Sequence, residues 1–290
     1  MTPLRGSKCF LRWSLRPAGR KLERLKQASA RFKIVALWCW YRGAQFYGYQ
    51  QQQNRRTVQQ ELLKAFAAAG LSRNPVVAGR TDKFVSARMQ VLSGRLEHHV
   101  PAEDLVGRLN AVLPADVGIH LAREAKTGFH AAWSSNSKEY RYALAQEHLG
   151  DLELLKEAAA LIPGTRDFKA FHFKTSEDKA RTVNSVELLP RPGGLTLRFI
   201  GEGFARHMVR MLVGGLTAVS TGKVRFEHFR AGLFEQRNFY CPTAPPEPLT
   251  LWNVGYPAEV DPFTPQERSG FDWAERASAP GVTREGDEVR

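Results

Sequence analysis

Residues 77–87, Val77-Ala78-Gly79-Arg80-Thr81-Asp82-Lys83-Phe84-Val85-Ser86-Ala87, crowd a carboxylate, a guanidinium and a hydroxyl at one loop-to-strand junction. No other stretch of the chain does this. Such a carboxylate can serve as a nucleophile or as a general base. Its bland use is as a turn residue whose side chain bonds its own backbone, and on residue types alone that use is the commoner. Three further groups invite the same question. Tyr140 and Tyr142 fall on one face of a β-like run, where tyrosines are mostly core. Arg206, His207 and Arg210 share the polar wedge of an amphipathic helix, where such residues are mostly solvated. His130 alone reads as a structural histidine.

These residues need elements to hold them. Residues 32–40 are rich in β-formers and predict a first strand. Thr57 with Gln60 predicts a capping box, opening a helix whose buried face is Val58, Leu62, Ala65, Phe66 and Ala69. The run after Asp82 predicts a strand through Leu96. Pro101 starts a second helix with Leu105, Leu109 and Val112 on its stripe. A third helix is expected near 151–162, then strands around the Pro192-Gly193-Gly194 turn. The amphipathic helix that carries Arg210 follows, and a last strand covers Leu249–Tyr256.

The chain has 290 residues, enough for one large or two medium domains. No apolar run is long enough to span a bilayer. Cys9, Cys39 and Cys241 are odd in number and far apart, so neither a disulfide framework nor a zinc site is expected. A reducing compartment fits. Net charge is +13, which favours a polyanionic partner. Residues 1–30 carry eight Lys/Arg against Glu23 alone, and residues 258–290 carry eight Asp/Glu against four Arg. We expect a disordered basic arm at 1–30 and a disordered acidic tail at 258–290, in which Phe271 and Trp273 are able to dock. The Arg-rich start also permits an organellar targeting role, against a default cytoplasmic location.

The order Ala-Gly-Arg-Thr-Asp-x-x-Val-x-Ala-x-x-Gln-Val resembles the signature of the tRNA pseudouridine synthase A family. Further motifs follow in that family's order over about residues 31–257. They are Tyr41, Gly43, Phe46, Gly48 and Gln50 ahead of Thr57-Val58-Gln59, then Asn110 to Val117 and Phe129-His130-Ala131. After these come Tyr140-Arg141-Tyr142, Gly164 to Phe171, Gly203-Phe204 with Met208-Val209-Arg210, and Pro242-Thr243-Ala244-Pro245.

The resemblance implies an α+β fold. Two similar α/β domains, 31–145 and 146–257, with antiparallel or mixed sheets, join around a basic RNA-binding cleft. It implies isomerisation of uridine to pseudouridine, by default at positions 38–40 of the tRNA anticodon arm, with no metal or cofactor, by a homodimer. Asp82 becomes the catalytic residue, as nucleophile or base. Arg80 holds the RNA open, Tyr140 stacks on the flipped uracil, and Arg210 pairs with Asp82. Arg42, Lys83 and Arg206 are further expected RNA contacts. The alternative is a paralogue that binds or remodels RNA without turnover. A basic DNA-binding protein is a third reading, with no helix-turn-helix or finger pattern to support it.

Several positions depart from the family's pattern. Arg42 replaces an Asp, Tyr49 a Trp, and Ala132 an Arg. Asp82-Lys83-Phe84-Val85-Ser86-Ala87 stands where the family has Asp-Ala-Gly-Val-His-Ala. Phe84 in place of glycine predicts a backbone that avoids the conformations only glycine takes easily.

Overall fold

Strand β1, Phe32–Tyr41, is the run of β-formers expected there, and it is buried from Val35 onward. The computed structural model describes residues 32–69, 75–173, 179–235 and 242–278. The expected basic arm at 1–30 lies outside the described residues, as does the end of the acidic tail. Beyond β1 the strands are β2 (Val76–Val77), β3 (Ser86–Glu97), β4 (Val117–Ala125), β5 (Ser137–Ala145), β6 (Gly164–Arg166), β7 (Arg181–Arg191), β8 (Gly194–Gly201) and β9 (Leu249–Gly255). They form a nine-stranded mixed sheet in the order β4-β1-β3-β9-β5-β8-β7-β6, with β2 paired to β3. The α+β class and the mixed sheet are as expected.

One joint connects the two ends of the sheet. β9 runs parallel to β3 over two residue pairs, Ser86 with Thr250 and Ala87 with Leu251. On its other edge β9 is antiparallel to β5, and β5 pairs with β8 from Lys138 to Ala145. The start of β3, immediately after the Asp82 loop, is therefore hydrogen-bonded to a strand that is remote in sequence.

Helix α1, Val58–Ala68, is capped by Thr57, whose Oγ1 accepts from the Gln60 amide at 3.4 Å. It buries Val58, Leu62, Ala65 and Phe66, the predicted face. Helix α2, Asp104–Asn110, buries Leu105 and Leu109. Helix α3, Leu152–Ala160, starts on Asp151, whose carboxylate accepts from the amides of Glu153 and Leu154. Helix α4, Met208–Ser220, is the most deeply buried, and α5, Phe226–Phe234, follows it. A Cβ at Gly214 of α4 would lie 1.8 Å from the Pro242 carbonyl oxygen. Only glycine lets α4 approach the 242–244 segment this closely. No helix among the described residues is long and apolar enough to cross a membrane.

The acidic tail is a correction. Residues 258–278 are folded against the sheet, with α6 (Pro265–Ser269) and α7 (Trp273–Ser278). Phe263 and Phe271 are buried, with ring centroids 5.8 and 5.3 Å from that of Trp38. Two of the acids that suggested a solvated tail are paired with arginines. Asp261 accepts two 2.8 Å bonds from Arg268, and Glu267 accepts from Arg123 at 2.7 Å while closing a capping box with Thr264. A bulge contributes: Cys39 pairs with Gln90 but Tyr41 with Ala87, which leaves an extra residue on β3. Such an insertion re-aims side chains, and here Arg88 donates to the carbonyls of Arg268 and Phe271.

Candidate active site

The Asp82 loop is held by groups from β1 and β3. The Gln90 side-chain amide donates to the Gly79 carbonyl at 2.6 Å. The Tyr41 hydroxyl lies 2.8 Å from Thr81 Oγ1. The Tyr49 amide donates to the Thr81 carbonyl at 3.1 Å, and the Val85 amide to the Asp82 carbonyl at 3.2 Å. Two glycines admit the neighbouring segment. A Cβ at Gly43 would lie 2.3 Å from the Phe84 carbonyl oxygen, and Gly48 has φ +93° against Thr81. Ser86, which stands where the signature has histidine, accepts from the Gly43 amide at 2.9 Å. Thr81 is buried and Asp82 half-buried, so the loop presents a carboxylate on a fixed base.

Phe84 corrects the sequence-based expectation. It has φ +66°, inside the left-handed region that glycine favours. Its amide donates to the Phe46 carbonyl at 3.0 Å. Its ring lies 6.0 Å from Tyr47, and the Lys83 ammonium lies 4.2 Å from its centroid. Surrounding contacts hold a conformation that costs about 1–2 kcal/mol for a non-glycine residue.

Two side chains reach Asp82 from the start of α4, a guanidinium and an imidazole. His207 Nε2 lies 3.4 Å from Asp82 Oδ1, and Arg210 Nη1 lies 3.8 Å from Oδ2. Arg210 is anchored by its Nε, which donates to the Ala244 carbonyl at 2.8 Å. The Ala244 amide returns a bond to the Arg210 carbonyl. His207 is the N-cap residue of α4, at φ +62°, so the carboxylate sits at the positive end of the helix dipole. Burial holds the His207 imidazole below its usual pKa; Asp82 opposes this, and Arg210 and Arg206 add to it. Its Nδ1 is buried without a hydrogen-bond partner among the described residues. The Phe173 ring lies edge-on at 4.6 Å.

Tyr140, on β5, is buried with its ring edge-on to Phe204 at 5.3 Å. Burial pushes its phenol well above the usual range, and the Asp82 charge pushes the same way. The phenol therefore stays protonated at neutral pH.

Asp82 opens into a cleft of about 1110 Å³. One wall comes from residues 47–52 and 80–85, the other from 204–210 with Pro246, Glu247 and Leu249, and Tyr140 lies between. The structure thus brings together Asp82, Arg80, Tyr140, Arg210, Lys83 and Arg206. Arg80 is exposed on the wall, and no hydrogen bond or ion pair holds it among the described residues. Arg206 is exposed on the opposite wall. Arg42 does not line the cleft; its guanidinium donates to the Ala115 carbonyl at 3.1 Å. His130 lies outside as well, stacked on Trp133 at 4.0 Å.

The residue that sequence reasoning passed over is His207. It was visible beside Arg206 and Arg210 on the polar wedge, but a helix wheel gives no sign that this wedge faces a carboxylate 125 positions earlier in the chain. Chemically, the arrangement holds the Asp82 carboxylate beside the Arg210 guanidinium and aims it into a basic cleft wide enough for an extruded nucleoside. That is what a single-carboxylate nucleophile or base requires.

Comparison with known proteins gives the same direction. A family model described as tRNA pseudouridine synthase matches residues 158–257. The tRNA pseudouridine synthase A of Bacillus subtilis (strain 168) is 37% identical over 237 residues, covering 74% of this chain and 96% of its own. That of Exiguobacterium sp. is 35% identical over 245 residues, covering 78% and 98%. The protein of the same name from Methanothrix thermoacetophila is 34% identical over 258 residues, covering 87% and 96%.

Proposed function

This chain belongs to the tRNA pseudouridine synthase A family, and we propose that it isomerises uridine to pseudouridine in the anticodon arm of tRNA with Asp82 as its one essential carboxylate. The observation that carries the assignment of Asp82 is its position between His207 and Arg210 at the base of the cleft. Either of two paths suits one carboxylate. Asp82 attacks C1′ while the N-glycosidic bond breaks, the uracil turns, and C5 displaces Asp82 from C1′. Alternatively, Asp82 takes the C2′ proton as the bond breaks, giving a glycal that regains the proton when C5 joins C1′. In both paths C5 then loses its proton to solvent and N1, freed from C1′, takes one up.

We propose roles for the other residues that their placement supports. Arg210, anchored on Ala244, orients Asp82. Tyr140 packs against the uracil as its rigid wall, a neutral aromatic surface that does not compete for protons. Arg80, free on the cleft wall, fills the space left by the extruded nucleotide. Arg206 and Lys83 meet backbone phosphates. Arg42, held by the Ala115 carbonyl, is a poorer candidate for that contact. A homodimer is the assembly we propose from the family resemblance.

The test is to map pseudouridine in an unmodified tRNA transcript after incubation with the protein. New pseudouridine at positions 38–40 is the expected result. Bound tRNA with no new pseudouridine would overturn the isomerase reading and favour an RNA-binding paralogue.

A further inference from the structure

Three non-glycine residues among those described have positive φ: Asn54, Phe84 and His207. His207 reaches Asp82. The other two belong to one cluster at the mouth of the cleft. Residues 47–56 form a small hairpin closed by a Gln52–Arg55 bridge, with the Tyr47 amide donating to the Arg56 carbonyl at 2.8 Å. The Gln52 side chain donates to the Tyr47 carbonyl at 2.7 Å. Asn54, at φ +56°, makes the turn that brings Arg55 back over the Tyr47 ring, 4.6 Å from its centroid. From the same wall of the cleft, Lys83 places its ammonium 4.3 Å from the same centroid and 4.2 Å from that of Phe84.

Backbone strain that surrounding contacts maintain points to a function. Here the strained Phe84 turn and the Asn54 turn, whose left-handed conformation asparagine adopts readily, converge to mount two cations on one aromatic ring. Both are exposed, and neither has a carboxylate partner among the described residues. Both stand within 4.6 Å of one centroid, so they lie closer together than a Debye length of about 10 Å and repel each other. An anion held by both relieves that repulsion. The ring fixes the two heads at little entropic cost. Lys83 directly follows Asp82, and Lys83 and Phe84 are two of the positions where the chain departs from the signature it otherwise resembles.

We propose that Arg55 and Lys83, mounted on Tyr47 and braced by Phe84, form a phosphate clamp that grips the RNA backbone beside the flipped uridine. The proposal rests on the RNA substrate proposed above, and it gives the Lys83-Phe84 departure from the signature a substrate-gripping role. Each cation that meets a phosphate releases a counterion, so each contributes to the salt dependence of binding.

The experiment is fluorescence anisotropy of an end-labelled tRNA transcript between 50 and 200 mM salt, with tritium release from C5-labelled uridine measured on the same wild-type preparation. The variants are Lys83→Met, Arg55→Met, the double substitution and Lys83→Arg, with Arg191→Met as a control charge at the distant end of β7. Methionine keeps an apolar stem over the ring. Each of Lys83→Met and Arg55→Met should lower the slope of log affinity against log salt by about 0.7–0.9, so that the affinity ratio between the two salts shrinks about three-fold. Lys83→Arg should keep the wild-type slope, and Arg191→Met should leave it unchanged. Slopes unchanged in both single variants and in the double, with wild-type turnover intact, would overturn the clamp and leave the function standing. The expected slope losses without wild-type turnover would support the clamp and overturn the isomerase reading. A wild-type protein that binds no tRNA would overturn both.

Discussion

Asp82 touches the rest of its site through long contacts, 3.4 Å to His207 and 3.8 Å to Arg210. Such contacts tighten when substrate arrives, so the anchoring of the partners decides how well the carboxylate is aimed. Arg210→Lys keeps a charge but loses the Nε bond to Ala244 and the planar fork. A misplacement on the scale of an ångström costs about 10²-fold. We expect that loss in kcat/KM for Arg210→Lys, read by tritium release; wild-type rates would contradict the anchoring role. Phe84 allows a cleaner test of stored strain. Phe84→Ala keeps the unfavourable φ and loses the ring, whereas Phe84→Gly loses the ring and relieves the φ. The glycine variant should be more stable than the alanine variant by about 1–2 kcal/mol in denaturant unfolding. Equal stabilities would mean the loop relaxes. Asp82, Arg80, Tyr140 and Arg210 were legible in the sequence because each sits in a short motif of fixed order. His207 was not, because its meaning depends on which side of α4 meets the Asp82 loop. Phe84 misled because only its contacts with Phe46, Tyr47 and Lys83 show how a bulky residue is held at positive φ.

Among the elements, α4 does the most to set the site, since it supplies both partners of Asp82 and rests on the 242–244 segment. Gly214→Ala would drive a Cβ into the Pro242 carbonyl. It should destabilise the protein by about 1–3 kcal/mol and also lower activity, because Ala244 in that segment anchors Arg210. A stable, fully active variant would contradict this coupling. The 258–278 segment is the second informative element. Arg268 joins Asp261 to the Val254 carbonyl while both side chains are largely shielded, 16% and 19% exposed. Arg268→Met should cost about 2–3 kcal/mol by leaving Asp261 half-buried and unpaired, a partly exposed case of a loss that reaches 3–5 kcal/mol when fully buried. A change in thermal unfolding of under about 0.5 kcal/mol would show that the segment is not part of the cooperative fold. Helix and strand positions were readable from periodicity, which is local. The segment was misread because its acids, counted alone, look solvated; their arginine partners Arg123 and Arg268 are visible only once the chain is folded. The β3–β9 joint was equally invisible, since it pairs residues more than 160 positions apart.

For the molecule as a whole, charge sets the response to conditions. Burial lowers His207, and it lowers His120, with Arg276 and Arg88 adding to the effect and Glu267 opposing it. As pH falls below about 6.5, the unfolded chain takes up protons at these positions before the native protein does. Their contribution to stability is therefore in place above that pH and is lost as pH falls through their lowered native values. The unfolding free energy should decrease from pH 7 to pH 5. His120→Phe, which keeps an aromatic ring against Trp38 and Phe271, should make that decrease shallower; an unchanged slope would remove His120 from the balance. The basic cleft, the unpaired Arg80 and the cations on Tyr47 all converge on one carboxylate, and one comparison tests that convergence most directly. It is tritium release from C5-labelled uridine in tRNA by the wild type beside Asp82→Asn, with tRNA binding measured on both. Release by the wild type is expected, with none above background by the variant and tRNA bound by each. Equal release by both proteins would contradict this, because the reaction would then proceed without the carboxylate around which the cleft is built.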